Sequence, residues 1–208
     1  AIGMMLFTSR PVGDAMATTI WGTSSSWTLT ALPLFVWMGE ILFRTRLSEN
    51  LFKGLSPWMQ KLPGGLIHVN VVGCALFAAI SGSSAATVAT VGKMSIPELR
   101  KRNYPEKILL GSLAGSGTLG LLIPPSIILI IYGVAVQESI AKLFIAGIIP
   151  GIMIALIFMS YVIIWSLINK KSMPKIIEEY SFLEKIKRSK QLLPVIILIL
   201  AVIGSIYT

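Results

Sequence analysis

The sequence predicts an all-α polytopic membrane protein in which one apolar segment enters and leaves the bilayer by the same face and another crosses as a broken helix. Three observations carry this. Of 208 residues, 54% are apolar and 13% charged, with a mean hydropathy of +0.80, a composition foreign to soluble domains. The basic residues gather in short stretches between apolar runs, as topology signals do. The apolar run 111–126, Gly-Ser-Leu-Ala-Gly-Ser-Gly-Thr-Leu-Gly-Leu-Leu-Ile-Pro-Pro-Ser, carries four glycines and a double proline at membrane depth.

The net charge of +9 belongs to these loops, so the partner it implies is the lipid bilayer and no nucleic acid. The single cysteine, Cys74, provides neither a disulfide framework nor a metal site and reads as a small core residue. No charged n-region followed by a short apolar core opens the sequence, and the expectation is a piece of something longer.

In chain order, residues 1–8 are too short to span, and Arg10, Pro11 and Asp14 mark a polar break. Trp21 and Trp27 flank hydroxyl residues, which suits an interfacial segment. The run 27–43 contains Pro33 and carries Glu40 near its end, four residues before Arg44; that is the spacing of a helical ion pair, the other reading being a proton-carrying carboxylate. The first basic loop, 44–61, has net charge +3. The run 62–92 has 31 residues, roughly 46 Å as one helix against a hydrocarbon core of about 30 Å. Ser81-Gly82-Ser83-Ser84 interrupts it with the residues a tight turn requires.

The second basic loop, 93–107, is again net +3, and the neutral connector 132–142 follows the broken run. A long apolar span at 143–169 carries Pro150. The third basic loop, 170–190, is net +4; its Ile176, Ile177, Phe182, Leu183 and Ile186 predict an amphipathic helix on the membrane surface. A last span begins at 192. If 108–131 and 143–169 each cross once, the second and third basic loops share a side. The first joins them only if 62–92 is a re-entrant hairpin with its tip near the midplane, and a single span would put a +3 loop on the wrong face. The expected topology therefore makes 44–61, 93–107 and 170–190 all cytoplasmic.

A proline removes an amide donor and clashes one turn back, so carbonyls around 120–125 lose their helical partners. The competing reading is a kink that only shapes packing. Broken helices at depth can line a cavity where freed carbonyls meet a cation. Ser81, Ser83, Ser84, Ser116 and Thr118, with carbonyls around Gly117 and Gly120, form a candidate oxygen shell; Gly82, Pro124 and Pro125 are the structural hinges. Neither segment contains an acidic residue, which fits a monovalent ion better than calcium. Close helix packing is the alternative role for Gly111 and Gly115.

Leu32-Pro33-Leu34-Phe35 with Gly39-Glu40, Ser81-Gly82-Ser83-Ser84 with Ala85-Ala86, Ile123-Pro124-Pro125-Ser126-Ile127 with Tyr132-Gly133, and Leu143-Phe144 with Ala146-Gly147-Ile148-Ile149-Pro150-Gly151 resemble the large membrane subunit of tripartite ATP-independent periplasmic (TRAP) transporters. The resemblance runs in order over about 29–169. It implies an elevator-type transporter of the bacterial inner membrane built from inverted repeats, one of the two present here. It further implies sodium-driven import of an organic acid, usually a carboxylate, delivered by a periplasmic substrate-binding protein, with a small membrane subunit as partner. No cofactor is implied beyond sodium as coupling ion.

On that reading 1–61 forms N-terminal membrane and interfacial helices, partly scaffold. Residues 62–142 form half of a transport domain, with the hairpin at 62–95 and the broken helix at 106–135. Residues 143–208 form a long span, a cytoplasmic amphipathic linker and the start of a further span. Two rivals are an uncoupled scaffold or channel-like subunit and an intramembrane serine protease. The protease needs a histidine beside its serine, and His68, the only one, lies 13 residues before Ser81, roughly 20 Å along a helix. His68 reads as an interfacial side chain, and the protein as no enzyme.

Overall fold

The computed structural model describes residues 11–174 and 180–207, and all regular structure among them is helical. Helix α1 (Val12–Ser24) leads through a 3-10 turn (Trp27–Thr30) into α2 (Ala31–Arg44) and α3 (Leu47–Met59). A helical pair follows, α4 (Ile67–Ser81) and α5 (Ser84–Lys101). The glycine- and proline-rich run is α6 (Glu106–Gly117), a 3-10 turn (Thr118–Leu121), an irregular stretch and α7 (Ile127–Val136). Helices α8 (Ile140–Ile168), α9 (Phe182–Ser189) and α10 (Leu193–Tyr207) complete the described chain.

The hub is α4. It is apolar on all sides, and a helix of that kind must be covered all round. It packs against α2, α3, α5, α6, α8 and α10. Its Cys74, Phe77 and Ile80 join Leu42, Leu51, Val91, Leu113 and Val195 in one buried cluster, while Val69 joins Phe52, Leu55, Leu99 and Leu109 in a second. Truncating Phe77, fully buried, to alanine is expected to cost about 3–5 kcal/mol.

The outer wall is α8, the one helix among the described residues long and apolar enough to cross a membrane by length and composition. Only 17% of its apolar window is covered by protein, so its outward isoleucines and leucines need another apolar phase. At 29 residues it extends about 44 Å, and spanning a core of about 30 Å requires tilt. By contrast α7, with 10 residues, reaches about 15 Å, half that core.

Three basic or polar boundaries differ from expectation. The stretch 44–61 is mostly helix, because Leu47, Leu51, Phe52 and Leu55 recur at helical spacing and bury one face of α3 in the core. The second arm continues past Gly92 and Pro97 to Lys101. Leu99, fully buried, anchors that extension, while exposed Pro97 removes only one ladder donor. The long helix begins at Ile140 with Ser139 as its N-cap, so the connector's Lys142 falls in the helix's first turn.

The Glu40–Arg44 pair forms as its spacing predicts, at 2.9 Å and exposed. Trp21 and Trp27 are both exposed. Ile176 and Ile177 lie outside the described residues. The rest of the amphipathic stretch is α9, which opens with a Ser181–Glu184 capping box and exposes Phe182, Leu183 and Ile186. Trp58 Nε1 on α3 donates to Ser189 Oγ at 2.8 Å and pins the far end of α9.

Candidate cation site at the hairpin tip

Helix α4 stops because Gly82 adopts a left-handed conformation, φ +60°, with its N–H donating to the Ala78 carbonyl at 3.1 Å. Glycine is the residue that reaches this region without Cβ strain. Ser83 then caps α5, its Oγ accepting from Ala86 N at 3.4 Å. The turn between the arms is therefore two residues long.

The break follows from the prolines. Neither Pro124 nor Pro125 has an N–H for the carbonyls of Gly120 and Leu121, their helical partners at i−4. The Leu121 carbonyl instead accepts from Ser126 Oγ at 2.8 Å, and the Leu119 carbonyl from Leu122 N at 3.0 Å and Ile123 N at 2.9 Å. The ladder restarts at Ile127, whose N–H donates to the Gly82 carbonyl at 3.3 Å. The first free donor of α7 is thus satisfied by the hairpin tip.

Tip and break touch backbone to backbone. A Cβ on Gly82 would sit 2.8 Å from the Pro125 carbonyl oxygen, and one on Gly120 would sit 2.9 Å from Ser84 N and 3.0 Å from Ser83 C. A Cβ on Gly117 would overlap Val88 Cγ2. The opposite side of the break is covered by α8, where a Cβ on Gly147 would meet the Leu122 carbonyl oxygen at 2.8 Å and one on Gly151 would meet Ile123 Cγ1 at 2.9 Å. Close packing belongs to this four-residue glycine spacing. It does not belong to Gly111, which meets nothing within 4 Å, or Gly115, which meets only the Phe158 ring at ordinary contact distance.

The hydroxyls divide into engaged and unengaged. Thr87 Oγ1 donates to the Ser83 carbonyl at 2.7 Å and lies 3.0 Å from Ser81 Oγ, so Ser81 is the donor to Thr87. Ser116 Oγ donates to the Ser112 carbonyl at 2.6 Å and lies 3.4 Å from the Asn70 carbonyl oxygen. Ser84 Oγ is buried with no hydrogen-bond partner among the described residues, as are Thr90 Oγ1 and Ser95 Oγ further along α5. Ser81 turns its Oγ to Thr87 and sits beside Gly39 of α2, while Ser83 and Ser84 meet Gly117 and Gly120 at one place. Thr118 does not share it: the side chain is exposed and donates to the Gly115 carbonyl at 2.7 Å, because the 3-10 turn rotates it outward.

Thr87, Ser126 and the Gly147/Gly151 pair are participants that sequence reasoning passed over. Thr87 was findable as the hydroxyl one helical turn after Ser83. Among the described residues no group of three or more His, Cys, Asp or Glu is placed to hold a metal, so neutral oxygens are the donors the tip offers. His68 is fully buried rather than interfacial, with a ring nitrogen, Nε2, 2.8 Å from the Pro63 carbonyl at the opposite end of α4 from Ser81. The burial follows from packing α4 on every side. A cavity of about 660 Å³ between α1 and the end of α7 shares no lining residue with the tip.

The family described as tripartite ATP-independent periplasmic transporter, DctM component, matches residues 1–208. The chain is 34% identical to the C4-dicarboxylate TRAP transporter large permease protein DctM of Pseudomonas aeruginosa, over 100% of this chain and 48% of that protein. It is 37% identical to the isethionate TRAP transporter permease protein DctMQ of Oleidesulfovibrio alaskensis, over 74% of this chain and 24% of that protein. Identity to the sialic acid TRAP transporter permease protein SiaT of Haemophilus influenzae is 39%, over 65% of this chain and 22% of that protein. The chain spans about half or less of the length of these relatives, which are permeases and not enzymes.

Proposed function

This chain belongs to the DctM family of tripartite ATP-independent periplasmic transporters, and from that premise we propose that it supplies half of the ion and substrate site of a sodium-coupled organic-acid importer. The observation that carries the proposal is the unpartnered Ser84 hydroxyl at the contact between tip and break. Sodium prefers oxygen ligands, and this contact concentrates neutral ones: the Ser84 hydroxyl and the carbonyl-rich ends of α4 and α6. Those C-terminal ends favour a cation, while the N-termini of α5 and α7 favour the carboxylate of a substrate. Relatives named for C4-dicarboxylate, isethionate and sialic acid support an organic acid as cargo.

The assembly proposed is a multi-pass protein of the bacterial inner membrane, with 44–61, 93–107 and 170–190 on the cytoplasmic side. A small membrane subunit stands beside it, and a periplasmic binding protein delivers the substrate. The hairpin and the broken helix form half of the moving part of an elevator, whose second half is an inverted copy. Uptake by the intact complex in proteoliposomes tests this: an inward sodium gradient should drive accumulation. Equal uptake with potassium in place of sodium would contradict coupling and favour an uncoupled subunit.

A further inference from the structure

We propose that the cavity between the entrance to α4 and the end of α8 is a binding site for the phosphate of an anionic phospholipid. The cavity holds about 280 Å³ and is lined by Gln60, Lys61, Leu62, Arg102, Tyr104 and Ser166 among others. By the topology proposed above, on which this inference rests, it lies at the membrane face that carries the basic stretches, where a headgroup sits; it does not depend on sodium coupling.

Three features point to an anion. Among the described residues the lining contains two cations and no acid. Arg102 is shared with Glu98 at 3.1 Å, whereas no acidic side chain among the described residues lies within 4.0 Å of Lys61. Gln60, only 5% exposed, lines the same cavity with its Nε2 buried and lacking a partner. A buried amide donor without an acceptor is costly by itself, and a turn of this side chain into the cavity would bring the donor to a phosphate oxygen.

Two further features select a lipid over a free anion. Leu62, Pro63, Met173 and Pro174 make part of the lining apolar. Beside it the last turns of α8 present Ile164, Leu167 and Ile168 outward, with Ile168 76% exposed. A headgroup phosphate in the cavity would leave its acyl chains lying along this wall. Basic pockets between helices at the membrane surface recognise headgroups in this way.

The test uses the purified, delipidated protein in detergent, titrated with phosphatidylglycerol, phosphatidylcholine or inorganic phosphate and followed by native mass spectrometry. Phosphatidylglycerol is expected to bind at least tenfold more tightly than phosphatidylcholine. Lys61→Ala should weaken it about fivefold, the effect of one cation near an anionic headgroup, and Gln60→Leu should weaken it similarly. Lys53→Ala, whose lysine pairs with Glu49 away from the cavity, should not. Lys61 is exposed, so its variant should fold; the thermal midpoint of Gln60→Leu separates lost binding from lost structure. Equal affinity for both lipids, or phosphatidylglycerol binding indifferent to Lys61→Ala, would overturn the proposal. Inorganic phosphate binding as tightly as phosphatidylglycerol would show an anion site and overturn the lipid assignment.

Discussion

Gly82→Ala is the substitution whose effect follows most directly from geometry. At φ +60° an alanine pays the left-handed penalty of about 1–2 kcal/mol. Its Cβ would lie 2.8 Å from the Pro125 carbonyl oxygen, a backbone atom that cannot rotate away, and relieving that overlap costs about 1–3 kcal/mol more. The sum, about 2–5 kcal/mol, falls on the contact between tip and break. The core cluster around Phe77 is untouched, so the protein should still insert and fold. Uptake in proteoliposomes and the thermal midpoint in detergent are measured together, with Gly111→Ala as control because its Cβ meets nothing within 4 Å. Uptake should be abolished in Gly82→Ala and retained in Gly111→Ala, which gains up to about 1 kcal/mol of helix propensity. Wild-type uptake and midpoint in Gly82→Ala would refute the claim that tip and break meet through this glycine.

Other outcomes follow from the same contacts. Gly117→Ala should destabilise by about 1–3 kcal/mol through overlap with Val88, and adding Val88→Ala should restore much of the thermal midpoint, a coupling that a double-mutant cycle measures. Replacing Pro124 and Pro125 together with alanine should let the ladder close across 120–125 and weaken sodium binding at least tenfold by titration. Tyr104→Phe removes the acceptor for Leu66 N at 3.0 Å and should cost about 1–2 kcal/mol in denaturation. Burial pushes the Tyr104 phenol above its ordinary value. Its contribution to stability is therefore intact below about pH 10 and lost as pH rises through the folded value, a loss that Tyr104→Phe should abolish. Glu40→Gln breaks an exposed pair and should change stability by less than about 0.5 kcal/mol, leaving sodium-driven uptake unchanged.

The contact between tip and break was legible because chemistry that cannot be regular helix is written in the chain itself: Gly82 at a turn, Pro124 and Pro125 where amide donors must vanish. The all-α class followed equally from composition. Helix α3 was hidden by its charges, because Lys53 and Glu49 pair on the outer face while Leu51 and Phe52 bury the inner one. The reach of α5 was hidden by Pro97, since no local rule says that a buried Leu99 will hold the helix together beyond it. Thr118 was misplaced because the handedness of a single 3-10 turn decides which hydroxyl faces the break, and sequence spacing does not carry that information. The roles of Gly147 and Gly151 depended on which segment α8 packs against, a tertiary fact.

If the tip and the break bind sodium between them, thermal denaturation of the purified protein in matched sodium and potassium chloride will separate the two salts. Sodium at a hundred times its dissociation constant should stabilise the wild type by about 2.7 kcal/mol. Potassium should not, and Ser84→Ala should lose most of the sodium effect while keeping its midpoint in potassium. Equal stabilisation by both salts, or a sodium effect untouched by Ser84→Ala, would rule out a sodium site built on the Ser84 hydroxyl.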